Sequence, residues 1–190
     1  RLPGIHNALG KLIETEEKYG TAIDISLGYN ASIVVVDNEI CAKEAINYLK
    51  QNGLGRVTFY PLNIIKPRGI DPNTLSKITS VDGFIGSADS LVKYNGLYRN
   101  VVLNALGSTI IVRDLTSANY ISKLINHTYR IVSLDGDLIN PGGSITGGSL
   151  KTSSGIINQK FELENKLKLL KEKTNLIKLK EEEINDEDHN

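Results

Sequence analysis

The 190-residue chain has no methionine, no tryptophan and one cysteine, Cys41. A single thiol excludes an internal disulfide and leaves no cysteine cluster for a structural zinc ion, so a reducing compartment is the simplest expectation. Cys41 itself reads as a small buried side chain on a helix. Long apolar runs are missing as well: no window approaches the roughly 20 residues that span a bilayer. Arg1-Leu2-Pro3-Gly4 lacks the apolar centre of a signal peptide. The chain is therefore expected to be soluble, unsecreted and without membrane contact, and the lack of Met even at position 1 suggests an internal piece of a larger protein. Nor is there an excess of charge. Lys plus Arg and Asp plus Glu number 22 each, unlike a dedicated nucleic-acid binder, so any such contact must be local. His6, His127 and His189 are dispersed, with no evident nucleophile or metal ligand beside them, and no acid-base constellation stands out.

Hydrophobic residues make up 40% of the chain, enough to bury a core in one domain or two small lobes. Composition changes near residue 155. Before it, short apolar runs alternate with Gly, Asn and Pro turns; after it, Lys, Glu and Leu dominate, with no Gly or Pro. The second part reads as one helix, in which Leu163, Leu167, Leu170, Thr174, Ile177, Glu181 and Ile184 step by four and three, the spacing of a coiled-coil seam. Leu163, Leu167, Leu170, Ile177 and Ile184 form the seam, Thr174 and Glu181 weaken it, and the facing helix must come from outside this sequence. The alternative is a lone amphipathic helix folded back on the globular part.

The globular part contains an internal repeat. Tyr19, Ala22, Ile23, Ser26, Leu27 and Gly28 match Tyr98, Val101, Val102, Ala105, Leu106 and Gly107 at a constant offset of 79, with helical spacing and a glycine in the position of a helix C-cap. A β-branched run follows each, Ser32 to Val36 and Thr109 to Val112, and reads as a strand. Then comes a helix with an apolar stripe, Ala42, Ala45, Ile46 and Leu49 in one copy and Ala118, Ile121, Leu124 and Ile125 in the other. Each copy closes with an arginine and a second strand, Val57-Thr58-Phe59 and Ile131 to Leu134. Strand, helix, strand favours parallel pairing through a right-handed crossover, so the spacing predicts an α/β fold of two related lobes, each a helix-strand-helix-strand unit. The turn-rich stretch from Pro61 to Ser90 would connect them.

The densest signal runs from Asp135 to Leu150. Asp135-Gly136 marks a hairpin, and Asp135 and Asp137 suggest a turn before they suggest a metal, since no further ligand follows nearby. Gly142, Gly147 and Ser149 have the spacing of a phosphate-binding loop, but Gly148 stands where its lysine belongs, and the segment follows a hairpin. A nucleotide-binding α/β domain using residues 142–149 therefore stays open as an alternative, as does a monomeric DNA-binding domain carried on a helix. The competing reason for four glycines within seven residues is close approach of another backbone. If that backbone belongs to a second chain, the segment is a subunit interface.

Several motifs resemble one family: Gly4-Ile5-His6, Glu16-Glu17-Lys18-Tyr19, Leu27-Gly28, Ala42-Lys43-Glu44-Ala45, Gly55 to Leu62, Leu106-Gly107, Tyr129-Arg130-Ile131-Val132 and Leu134-Asp135-Gly136. Pro141-Gly142-Gly143-Ser144-Ile145-Thr146-Gly147-Gly148-Ser149 is the most specific of them. Together they resemble the hinge of structural maintenance of chromosomes (SMC) proteins, and Pro61 to Arg68 resembles the bacterial, condensin-type branch. Asn7 departs from the pattern, where the family often has a second glycine.

The resemblance implies the SMC hinge fold over residues 1–155, with lobe one at about 1–62, a connection at about 61–90 and lobe two at about 87–150. Residues 156–190 would begin a coiled-coil arm. It implies a homodimer through Gly142, Gly143, Ser144, Thr146, Gly147, Gly148 and Ser149, a role in chromosome condensation and segregation in the cytoplasm at the nucleoid, and no catalysis in this fragment. ATP and Mg are expected only at absent head domains, and kleisin and accessory subunits only on the full-length protein. Nonspecific DNA contact is implied too, with Arg56, Lys66, Arg68, Lys93, Arg99 and Lys151 as candidate phosphate contacts.

Overall fold

The computed structural model describes residues 2–149 and 155–188. The chain opens with β1 (Ile5–Ala8), a 3-10 turn, β2 (Ile13–Thr15), a second 3-10 turn and α1 (Gly20–Leu27). β3 (Val34–Val36), α2 (Glu39–Gln51) and β4 (Phe59–Pro61) complete the first half. After α3 (Pro72–Ile78) the same order recurs: β5 (Phe84–Ser87), β6 (Val92–Tyr94), α4 (Arg99–Leu106), β7 (Thr109–Val112), α5 (Leu115–Leu124) and β8 (Arg130–Ser133). Two short strands, β9 (Leu138–Ile139) and β10 (Ile145–Thr146), and the helix α6 (Ile156–Asp188) follow.

The repeat is therefore longer than its sequence trace. It begins with a strand in each copy, and the offset of 79 holds from Ile5 against Phe84 through Leu27 against Leu106. The two copies meet at their equivalent strands: β2 pairs antiparallel with β6, and Glu14 stands opposite Lys93, its own counterpart. This places a local two-fold relation at the centre of a single chain. Ala22, Ile23 and Leu27 of α1 and Val101, Val102 and Leu106 of α4 are buried there in one shared core. The helical spacing of these residues is thus the spacing of a single contact seen from both sides.

As the crossover rule requires, β3 and β4 are parallel, and so are β7 and β8. The intervening helices start alike, with the Asn38 side chain accepting from the Cys41 N–H at 2.9 Å and Asp114 accepting from the Ser117 N–H at 2.8 Å. The halves differ in how they end. Lobe one is a three-stranded sheet ordered β1-β3-β4, whereas lobe two has five strands ordered β10-β9-β8-β7-β5. Because β9 and β10 extend it, lobe two has an outer core of its own, with Ile110, Ile121, Ile131 and Ile139 almost wholly buried.

Four expectations need correction. The strand expected from Ser32 begins only at Val34, because a 3-10 turn takes residues 28–32. Val57 and Thr58 lie outside β4 and are exposed. The connection from Pro61 to Ser90 contains α3 and β5, and β5 pairs with β7. Cys41 is half-buried, its thiol against Gly4, where a Cβ would collide with it.

Gly28 ends α1 at φ 52°, in the left-handed region that favours glycine. Gly107, at φ −66°, needs no such freedom. A Cβ there would run into the carbonyl oxygen of Arg68, so this glycine exists for the close passage of the inter-lobe chain. Gly107→Ala is expected to destabilise the fold by about 1–3 kcal/mol in urea unfolding. Gly69→Ala, at a position with open space, should stay within about 0.5 kcal/mol of the parent.

Candidate functional site

The hairpin expected at Asp135-Gly136 is present: β8 and β9 are antiparallel, and Gly136 takes φ 92° in the turn. β10 then pairs with β9, Ile145 opposite Ile139. The turn between β9 and β10 is tied down internally. The Gly142 N–H donates to the His127 carbonyl at 2.8 Å, the Gly143 N–H to Asn140 at 2.9 Å, and the Asn140 N–H to Ser144 at 2.9 Å. His127 is itself held at φ 54°, with its Nδ1 2.6 Å from the Ser122 hydroxyl. The amides of Gly142 and Gly143 are therefore already committed, and the segment leads into a strand, so the geometry of a phosphate-binding loop is not formed.

The glycines have reasons of their own within the chain. Gly142, Gly143 and Gly148 adopt φ of 92°, 103° and 124°, which side chains rarely accept. A Cβ on Gly147 would sit 2.6 Å from a carboxylate oxygen of Asp137. Close approach by a second chain is thus not needed to account for this composition. The segment nonetheless remains open on its outer side: Ser144, Thr146, Gly147, Gly148 and Ser149 are exposed, and so is the apolar Ile145, at 55%. β10 is the last strand of its sheet.

Lobe one shows the complementary condition. Among the described residues β4 is an edge strand, with no strand in the positions that β9 and β10 hold beside β8. Beside that edge, Ile46, Leu54 and Val57 are exposed. Ile46 is on α2, and Leu54 and Val57 lie in the loop that leads into β4, so exposed apolar residues and an unpaired edge belong to the same unit. Pro61 has no N–H, and its carbonyl already accepts from Ile64 and Ile65. The Thr58 carbonyl accepts from the Val34 N–H of β3 at 3.0 Å, so pairing capacity on the outer side lies at its neighbours Val57 and Phe59.

The third feature is the root of α6. Asp24 of α1 accepts from the backbone N–H groups of Ile157 and Asn158, each at 2.9 Å, and so caps the long helix from another element. Burial pushes the Asp24 carboxyl up, while the two N–H donors and Lys160 pull it back. Lys160 donates to the carbonyls of Gly10 at 3.2 Å and Ile13 at 3.1 Å. Ile157 is buried in the shared core. Beyond this root, Leu163, Leu167, Leu170 and Ile184 are all at least half exposed; the side chain of Ile177 lies outside the described residues. Only the beginning of α6 is folded onto the globular part, and the expected seam faces away from it.

The cationic candidates do not gather into one patch. Arg56 lies in the loop after α2, Lys93 stands on β6 opposite Glu14, and Arg99 opens α4. Lys66 and Arg68 share the strand-like passage over α4, and Lys151 lies outside the described residues. Arg130, noted in the sequence only as the arginine that precedes the last strand of the repeat, instead donates to the carbonyls of Ser26 and Ile25 at the end of α1.

A two-lobed α/β domain whose sheets end in open edges at β4 and β10, with a long helix leaving its core, has the form of an assembly module. The model of the SMC proteins' flexible hinge domain matches residues 2–122, ending before β8. The chain is 44% identical over 185 residues to the chromosome partition protein Smc of Bacillus subtilis, covering 97% of this chain and 16% of that protein. It is 46% identical over 160 residues to the corresponding protein of Clostridium kluyveri, covering 84% and 13%. Among solved structures, an asymmetric dimer of the Geobacillus stearothermophilus SMC hinge domain superposes with a TM-score of 0.80 at 42% identity, over 90% of this chain and 69% of that one. The Pyrococcus furiosus Smc hinge domain with an extended coiled coil gives 0.66 at 34% identity, over 94% and 64%. The chain belongs to the SMC hinge family. It spans about a sixth of the B. subtilis relative's length.

Asp24→Ala removes both caps of α6 and should lower stability by about 1–2 kcal/mol. Faster amide exchange at residues 157 and 158 would locate the loss at the root of the helix. Asp24→Asn, which keeps one acceptor oxygen, should recover part of it.

Proposed function

We propose that this domain joins two copies of its own chain, each lending the β10 edge of lobe two to the β4 edge of lobe one of the other. The observation that carries this reading is the unequal completion of two related lobes: the strand pair that closes lobe two has no counterpart in lobe one. A two-fold axis makes the contact twice and leaves neither edge open. Pairing at Val57 and Phe59 would extend β4 backwards by the residues of strand propensity that lead into it. Such an interface needs at least ~1,200 Å² in total to be stable, and Ile145, Ile46, Leu54 and Val57 supply its apolar part. Gly142, Gly143, Ser144, Thr146, Gly147, Gly148 and Ser149 line the donated edge.

In the intact polypeptide, α6 would continue as one strand of a coiled-coil arm through Leu163, Leu167, Leu170, Ile177 and Ile184, paired with a helix that precedes this domain. The domain then serves as the joint of a chromosome-organising protein of the cytoplasm, with its ATP- and Mg-dependent chemistry, its kleisin and its accessory subunits placed elsewhere on the chain. The relatives named as chromosome partition proteins support this role. The exposed cations Arg56, Lys66, Arg68 and Arg99 support additional, sequence-independent contact with DNA.

Light scattering should give the mass of two chains at micromolar concentration. Ile145→Glu, which places a charge on the donated edge without a backbone constraint, should give one chain with an unchanged circular dichroism spectrum. A persistent dimer of that variant would refute the edge pairing. DNA affinity should fall steeply with salt, the slope of log K against log salt counting roughly 0.9 per phosphate contacted; a flat dependence would refute phosphate contact.

A further inference from the structure

The helices α2 and α5 end by the same turn. The Leu54 N–H reaches back to the Leu49 carbonyl at 3.0 Å, and the His127 N–H to the Ser122 carbonyl at 2.8 Å. Gly53 and Asn126 therefore hold the equivalent place just past each helix, both left-handed, at φ 58° and 55°. One such residue is enough to end α2. After α5 a second follows: His127 takes φ 54°, and it and Asn126 are the non-glycine residues of positive φ among the described residues. A residue with a Cβ adopts that conformation at a cost, and it persists only where the surroundings impose it. Lobe one shows that closing the helix is not what imposes it.

What surrounds His127 is the turn between β9 and β10. Its carbonyl accepts the Gly142 N–H at 2.8 Å. Its Nδ1 stands 2.6 Å from the Ser122 hydroxyl, and its ring flanks Gly143, where a Cβ would meet it at 3.6 Å. Ser122 is 1% exposed, so the ring is moored to the buried side of α5 while the turn rests against it. His127 itself is exposed, and the outer core of lobe two closes around Ile121, Ile131 and Ile139 without it.

The strand β10 needs such a mooring. It has two residues, and its ladder to β9 consists of Ile145 opposite Ile139 and Thr146 opposite Leu138. A pair that short does not hold its own position in water. Inside the turn, the bonds from Gly143 to Asn140 and from Asn140 to Ser144 fix its shape but not its place. The bond from Gly142 to His127 ties that shape to the end of α5.

We propose that His127 is a positioning residue of the contact between two chains: by holding the turn against α5, it sets the height and tilt at which β10 meets the β4 edge of a second copy. The role rests on the edge pairing proposed above and adds what fixes its geometry. Lobe one, which by that reading receives a strand and donates none, has Leu54 at the equivalent place, outside the left-handed region.

Dimer dissociation is measured by sedimentation over a range of concentrations for the 190-residue chain, for His127→Gly and for Ser122→Ala, with circular dichroism as the check of folding and amide exchange read at Gly142. His127→Gly relieves the backbone and removes the ring. It should fold as the parent does, weaken the dimer by about tenfold and speed exchange at Gly142. Ser122→Ala leaves residue 127 in place and loosens only its ring, so it should weaken the dimer less. A role confined to ending the helix would leave dimer affinity where it was. A dimeric parent whose affinity is the same in both variants overturns the positioning role and leaves the edge pairing standing; a parent that is one chain at every concentration overturns the edge pairing, and this role with it.

Discussion

Backbone N–H and C=O groups along the outer side of a strand must find partners or stay in water. In lobe two the hairpin at Asp135-Gly136 brings β9 against β8, and β10 against β9. In lobe one the chain leaves β4 through Pro61 and departs over α4, so no strand returns. The difference in how the two lobes close follows from this. Lobe two closes a private core around Ile121, Ile131 and Ile139, while lobe one leaves Ile46, Leu54 and Val57 in solvent.

The open edges are useful only if their relative placement is fixed. β2 and β6 provide this, paired about Glu14 and Lys93, with α1 and α4 packed beneath them. The same core anchors α6 through Asp24, Lys160 and Ile157. Both lobes and the arm thus share one block of buried aliphatic side chains.

Much of this was legible in the sequence because the repeat is written in burial. Ala22, Ile23 and Leu27 must occupy the same environment as Val101, Val102 and Leu106, and the spacing survives as a constant offset. The strands β1, β2, β5 and β6 escaped notice because each is three or four residues long and only partly apolar, too short for alternation to register. Gly107 does stand at the C-cap of α4, but the reason it is glycine was not legible: a close backbone contact from a segment 39 positions earlier leaves no local trace. Arg130 stayed anonymous for the same reason, since its partners at Ile25 and Ser26 are about a hundred residues away. Val57 and Thr58 are a different case: their β-branched character reads as strand, but β4 begins only at Phe59.

The way α6 is fastened has a mechanical consequence. A stiff rod that is clamped at its base transmits torque to whatever holds the clamp. Here the clamp is α1, which lies against α4 at the molecular centre and away from both sheet margins. Twisting or pulling the rod therefore loads the shared interior first, so leverage applied far away would turn the domain as a unit before it peeled either margin open.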